Sequence, residues 1–113
     1  MKDYPEIAAQ YHADYTGLAH AIPGITSSFG RLAMDATSDG SLPTKMKELI
    51  AFSIAITLRC DGCLAHHAQA VLEAGATRKE VAEMIGVAIL MGGGPSTVYG
   101  AEALRAYDAF AKT

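Results

Sequence analysis

The chain has 113 residues, a length that fits one domain with a modest hydrophobic core. Hydrophobic residues make up 50% of it, charged residues only 19%, and the formal net charge is -3 at pH 7. This mild acidity argues against a nucleic-acid-binding protein, which needs a basic surface to meet phosphates. No run of like charges suggests attachment to an anionic membrane.

The longest apolar stretches, residues 49–58 and 81–91, are shorter than the roughly 20 residues that cross a bilayer as a helix. The first residues lack the apolar segment of a secretory signal. We therefore expect a cytoplasmic protein. In that reducing compartment, two cysteines three positions apart are expected to be a redox or metal-binding pair and not a structural crosslink.

Apolar side chains recur at helical spacing, which predicts an all-α domain of five or six helices. The first two are expected over residues 4–20 and 25–38, with a break over residues 21–24 between them. We interpret residues 1–113 as a single domain whose core spans about residues 25–110, with the helix over 4–20 added at its N-terminal side.

The third helix is expected over residues 44–58, with the Thr44 hydroxyl capping its N-terminus. After Glu48 this helix is apolar on almost every side. A fourth helix is expected from about Asp61 to Glu73, ended by Gly75, because glycine readily takes the left-handed conformation that terminates helices.

Thr77 and Glu80 form a capping box that predicts the start of a fifth helix, again apolar on most sides. The glycines at 92–94 are interpreted as a helix break and not a phosphate-binding loop, because the Gly-Lys-Ser/Thr ending is missing. A sixth helix is expected over about residues 95–111. So short a chain cannot cover two helices that are apolar on most faces, which predicts self-association.

The chemistry concentrates in the only two cysteines, Cys60 and Cys63, and in His67, four residues after Cys63. Residues three and four apart share one face of a helix, so these side chains are expected to form a stripe at the start of the fourth helix. There the helix dipole and the free backbone N–H groups favour a thiolate. His67 can accept a proton from Cys63, and Glu48 could orient the imidazole. A sulfenic acid on Cys63 could then be closed to a disulfide by Cys60.

Two alternatives remain open for these residues. The cysteines could be an unreactive buried pair, or Cys60, Cys63, His67 and Glu48 could hold zinc. Ligands along one helix give poor tetrahedral geometry and no second Cys or His pair exists, so we expect no metal and no other cofactor. Glu48 could equally be a solvated residue of a first helical turn.

The remaining histidines are not expected to join this stripe. His66 points about 100° away from His67 on an ideal helix, which predicts a surface or interface position. His12 and His20 lie on the amphipathic first helix and are expected to be solvated.

With these motifs, the chain resembles the carboxymuconolactone decarboxylase family, and within it the AhpD-like alkylhydroperoxidase branch. The resemblance covers roughly residues 25–110. It rests on Glu48, twelve residues before Cys60, on the Cys-x-x-Cys pair, and on His67, and the segments at 58–67 and 91–96 are also similar.

This resemblance implies an all-helical fold assembled as a homotrimer or homohexamer. It also implies a peroxidatic role for Cys63, a resolving role for Cys60 and a proton relay through His67 and Glu48. One departure concerns Gly62, because the branch members that work with a peroxiredoxin carry a histidine at that position. The electron donor is therefore left as a thiol or a lipoyl-type reductant.

We accordingly expect a thiol–disulfide oxidoreductase with alkylhydroperoxidase, or peroxiredoxin-type, activity in antioxidant defence. Its expected substrate is a hydroperoxide, and no nucleic-acid or membrane partner is expected. One alternative is a carboxymuconolactone decarboxylase-like enzyme acting on a lactone acid. The other is a non-enzymatic redox-sensing or zinc-binding protein.

Overall fold

The computed structural model describes residues 1–112, and within them six α-helices follow one another with no strand. The prediction of an all-α fold is therefore confirmed. The helices are α1 (Tyr4–Ala21), α2 (Pro23–Thr37), α3 (Thr44–Leu58), α4 (Asp61–Glu73), α5 (Arg78–Gly92) and α6 (Gly94–Ala111). The second begins two residues earlier than predicted, because Pro23 fits the first turn of a helix.

Local capping signals define both ends of the loop between α4 and α5. The predicted left-handed glycine, Gly75, has φ 89°. The Gly75 N–H donates a hydrogen bond to the Leu72 carbonyl, and the Ala76 N–H donates one to the Val71 carbonyl. These two hydrogen bonds close α4. The predicted capping box opens α5, since Thr77 and Glu80 each accept a hydrogen bond from the other's backbone N–H.

The predicted cap of α3 is wrong. Pro43 occupies the cap position, and Thr44 is already the first helical residue. The Thr44 hydroxyl instead donates to the Thr37 carbonyl at 2.7 Å, while the Thr44 N–H donates to Asp39 Oδ1 at 2.7 Å. The incoming loop thus supplies the carboxylate acceptor that a helix N-terminus favours, and the threonine hydroxyl ties α3 back to the end of α2.

The core lies between α3, α4, α5 and α6, with α1 packed across α4 and α6. Fully buried side chains from the four central helices fill it, including Phe52, Ile56, Leu64, Val71 and Val81. Tyr4 adds α1 to this core, and Tyr107 joins α6 to the loop before α5 by donating to the Ala76 carbonyl at 2.7 Å.

Helix α2 stands apart from this core. Thr26 is the one buried residue of α2. Among the described helices, α2 packs only on α1 and α3. Its apolar residues at helical spacing, Ile25, Phe29 and Leu32, are exposed. The sequence periodicity therefore found a real face, but that face is not covered by the chain's own core.

Gly93 alone separates α5 from α6, with φ 72° and ψ -154°, a conformation essentially reserved for glycine. Next to it, a Cβ on Gly92 would overlap Ser96 and lie 3.3 Å from Thr57 Cγ2. The interpretation of this glycine segment as a helix break with close packing is confirmed. None of the helices in the described part of the chain is long and apolar enough to cross a membrane.

Candidate functional site

The candidate site is built on the tight connection between α3 and α4. Arg59 follows the last residue of α3 and takes a left-handed conformation, with φ 55° and ψ 48°. This conformation costs a non-glycine residue roughly 1–2 kcal/mol. The N–H groups of Arg59 and Cys60 donate back to the carbonyls of Ile56 and Ala55, which ends α3 and reverses the chain. The turn delivers Cys60 to the N-cap position of α4.

Cys60 and Cys63 are joined as a disulfide, with their Cα atoms 5.2 Å apart. The backbone N–H of Cys63 also donates to Cys60 Sγ at 3.2 Å, so this sulfur serves as the side-chain cap of α4. Cys63 lies within the first turn and packs against the hydrophobic core. Both sulfurs therefore sit at the helix N-terminus, as predicted.

His67 lies one turn beyond Cys63 on α4, and its ring meets Glu48 of α3. Nδ1 of His67 is 2.8 Å from Glu48 Oε1, and the two side chains are 23% and 11% exposed. Glu48 is therefore not a solvated residue of a helical turn. When Nδ1–H donates to this carboxylate, Nε2 is the ring nitrogen left to accept a proton.

His66 is exposed and points to a different side of α4, as expected. Its ring still meets the His67 ring edge to face, with centroids 4.8 Å apart. Desolvation, followed by the neighbouring His67, lowers the pKa of His66 below its ordinary value. His12 and His20 are exposed on α1, as predicted.

A group of charged residues beside the cysteines was not foreseen from the sequence. Lys2 Nζ lies 3.1 Å from Asp61 Oδ1, at the start of α4, and 3.1 Å from Glu102 Oε1 on α6. Glu102 also accepts a hydrogen bond from the Tyr4 hydroxyl. Burial, followed by this contact with Glu102, raises the pKa of Tyr4. No local spacing signals these contacts, because their members are dozens of residues apart.

Within residues 1–112, no three His, Cys, Asp or Glu side chains converge as a set of metal ligands. The four residues of the zinc alternative pair with each other in another way, as the Cys60–Cys63 disulfide and the His67–Glu48 contact. The geometry in this state is that of an oxidised dithiol beside a carboxylate–imidazole pair.

The family model described as the carboxymuconolactone decarboxylase family matches residues 23–106. The chain belongs to the carboxymuconolactone decarboxylase family. An uncharacterized protein of Cupriavidus necator is 39% identical over 100 residues, with 88% of each chain covered. A Paracoccus denitrificans protein, described as uncharacterized protein 4 in the cox locus, is 31% identical over 84 residues, covering 74% of this chain and 76% of its own.

Two crystal structures show the fold of this family. A family member from Legionella pneumophila is 39% identical, superposes with a TM-score of 0.92, and covers 95% of this chain and 96% of its own. A Thermotoga maritima member, for which a role in the antioxidative response has been suggested, superposes with a TM-score of 0.82 at 22% identity, covering 93% and 90%. The first likeness extends to sequence, while the second concerns the fold alone.

Proposed function

We propose that this family member is a thiol–disulfide oxidoreductase with alkylhydroperoxidase activity, as in the AhpD-like branch. The observation that carries the proposal is the Cys60–Cys63 disulfide at the N-terminus of α4, one turn from the buried Glu48–His67 pair. Such a dithiol has a base within one turn of one sulfur and a carboxylate that orients the base.

In the first half of the reaction, the Cys63 thiol gives its proton to His67 Nε2 and the thiolate attacks one oxygen of the hydroperoxide. The O–O bond breaks, Cys63 becomes a sulfenic acid, and the second oxygen leaves as an alcohol after taking the proton from His67. Glu48 stabilises the imidazolium formed in between by accepting its Nδ1–H.

In the second half, Cys60 attacks the sulfenic sulfur of Cys63, and water leaves as the disulfide forms. The disulfide in the structure corresponds to this oxidised end of the cycle. A thiol or a lipoyl-type dithiol returns the pair to the reduced form and is itself oxidised to a disulfide. Gly62 replaces the histidine of the peroxiredoxin-coupled members, so the resemblance does not identify this reductant.

The direct test is peroxide consumption by the reduced protein and by Cys63→Ser. Turnover should fall to the uncatalysed background in the variant, while wild-type protein should lose two free thiols per equivalent of hydroperoxide and two mass units from the intact chain. His20→Gln, an exposed histidine variant on α1, serves as the matched control for a His67→Gln variant. Undiminished turnover by Cys63→Ser would contradict the proposal.

A second candidate follows from the description of the family itself, namely decarboxylation of a lactone acid. This activity needs no thiol, so it should survive alkylation of both cysteines. Assaying alkylated protein with a carboxymuconolactone-type substrate therefore separates the two enzymes. A redox-sensing or zinc-binding protein would instead form one disulfide without turnover, or be purified with stoichiometric zinc.

A further inference from the structure

Two imidazoles, and not one, flank Cys63 on α4. Successive side chains on an ideal helix are about 100° apart, so Cys63 points about 60° from His66 on one side and about 40° from His67 on the other. Helical side chains lean toward the N-terminus, so both histidines, three and four residues later, lean toward the turn that holds Cys63. The two rings meet edge to face, with centroids 4.8 Å apart, which keeps the His66 ring beside that of His67.

The neighbouring position on the His66 side of Cys63 carries no side chain. Gly62 lies four residues before His66 and, on an ideal helix, about 40° from it in direction. A Cβ at Gly62 would have no other part of the chain within 4 Å. The space between His66 and the disulfide end of α4 is therefore open to a molecule that approaches the sulfurs from solvent.

His66 also has the properties of an available base. Its side chain is exposed, and no residue in the described part of the chain hydrogen-bonds to its ring nitrogens, whereas Nδ1 of His67 is held by Glu48. Desolvation, followed by His67, lowers the pKa of His66, while Glu48 of α3 and Glu73 of α4 act in the opposite direction. The His66 imidazole is therefore neutral, and able to accept a proton, at neutral pH.

We infer that His66 is the base that takes the proton from the reductant thiol as this thiol attacks the Cys60–Cys63 disulfide. The step belongs to the reductive half of the cycle and so rests on the proposed function. The reductant sulfur forms a bond to one cysteine, the Cys60–Cys63 bond breaks, and its electron pair stays on the other cysteine. The His66 imidazolium then gives the proton to that departing sulfur, which leaves a thiol and a neutral imidazole.

The same base serves the second step of the reduction. A second thiol, from the same dithiol or from another monothiol molecule, gives its proton to His66 and attacks the mixed disulfide at the reductant sulfur. The reductant leaves as a disulfide, and the remaining cysteine takes the proton. A base matters here because the thiolate, and not the thiol, is the nucleophile. His66 therefore suits reductants with ordinary alkyl thiols, which are mostly protonated at neutral pH.

Reduction of the oxidised protein by free cysteine tests this role, with an acid quench, alkylation by N-ethylmaleimide and intact mass as the readout. With a thiol pKa of about 8.5, free cysteine is about 3% thiolate at pH 7 and about 90% thiolate at pH 9.5. His66→Gln should slow reduction at least about tenfold at pH 7 and less than about twofold at pH 9.5, where the reductant needs no base. Equal slowing at both pH values would show a structural role and overturn the inference, as would an unchanged rate at pH 7.

His66→Phe separates the base from the ring contact. Phenylalanine can keep an edge-to-face contact with His67 but cannot accept a proton, so this variant should be as slow as His66→Gln at pH 7. A rate near that of the wild type would contradict the inference. His20→Gln, at an exposed position on α1, is the control and should keep the wild-type rates at both pH values. The assay uses no peroxide, so failure of peroxidase activity and failure of this assignment are separate outcomes.

Discussion

At the scale of single residues, the contact between Glu48 and His67 is the feature with the largest expected effect on chemistry. A carboxylate as buried as Glu48 is costly unless it is paired and hydrogen-bonded, and His67 Nδ1 at 2.8 Å is the partner that it has. The same contact holds the imidazole with Nε2 available. One hydrogen bond thus serves both the stability of the helix pair and the orientation of the proposed base.

Glu48→Gln should lower peroxide turnover by about 10–100-fold, the range typical when an orienting partner is lost. The amide can still hydrogen-bond to the ring, so the fold should persist, but it no longer stabilises an imidazolium. Steady-state peroxide consumption is the measurement, with circular dichroism to verify helix content. Glu83→Gln, an exposed acid on α5, is the matched control. Turnover within twofold of wild type would remove Glu48 from the proposed relay.

His66 should make the protein less stable in mild acid. Its pKa is lowered in the folded state, by desolvation first and then by His67, while Glu48 and Glu73 act in the opposite direction. Below the ordinary value of 6.5, the unfolded chain therefore binds a proton that the folded chain resists, and stability falls as the pH drops through that value. Urea midpoints at pH 7.5 and 5 should differ less in His66→Gln than in wild type. His20→Gln should keep the wild-type difference, and an unchanged difference in His66→Gln would refute the assignment.

At the scale of helices, the close approach of α5 and α6 depends on Gly100. A Cβ at this position would lie 2.7 Å from Ile85 Cγ2, a branch of a buried and conformationally stiff side chain. Gly86, on α5, has open space around its missing side chain. The two glycines therefore have opposite roles, one permitting helix contact and the other only weakening its own helix.

Gly100→Ala should destabilise the protein by about 1–3 kcal/mol, because the added methyl group overpacks the α5–α6 contact. Gly86→Ala should stabilise it by roughly 0.5–1 kcal/mol, because alanine is the better helix former. Chemical denaturation of both variants gives the two free energies of unfolding. If both variants changed the free energy of unfolding by similar amounts, the α5–α6 contact would accommodate the added methyl group without destabilisation.

At the scale of the whole molecule, the chain leaves much apolar side-chain surface uncovered. The exposed apolar residues concentrate on α2, α3 and α5: Ile25, Phe29, Leu32, Met34, Met46, Ile50, Ile54, Leu58, Val87, Leu90 and Met91. Between α3 and α5 they border a shallow cavity of about 210 Å³ lined by Ile54, Thr57, Val87 and Met91, among others. Contiguous apolar surface of this kind on a small chain favours association. We propose that it is covered by further copies, in the homotrimer or homohexamer that the family resemblance implies.

Ile54→Glu should break or weaken this assembly, because it places a charge at the edge of the cavity between α3 and α5. Light scattering after size exclusion should show a loss of mass toward the monomer, 11.8 kDa, at micromolar concentration. Ala13→Glu, at an exposed position of α1 outside the apolar surface, is the control and should keep the wild-type mass. A monomeric wild-type protein would contradict the proposal directly.

The parts of the fold that could be predicted are those governed by neighbours along the chain. Gly75 and the Thr77–Glu80 capping box placed the ends of α4 and α5 correctly, because caps involve residues only a few positions apart. The Thr44 cap was wrong because Asp39, across the loop, takes the acceptor role. The Lys2–Asp61–Glu102 contacts were missed because helices distant in sequence must first pack together.

The same division applies to the candidate site. By itself, the sequence determined that Cys60, Cys63 and His67 share one end and one face of α4, because helical geometry relates positions three and four apart. Only the tertiary structure decided that Glu48 is buried against His67 and that Cys60, at the N-cap, accepts the Cys63 N–H. It also decided which apolar faces remain open, since the spacing of side chains along a helix is local whereas the partner that covers them is not.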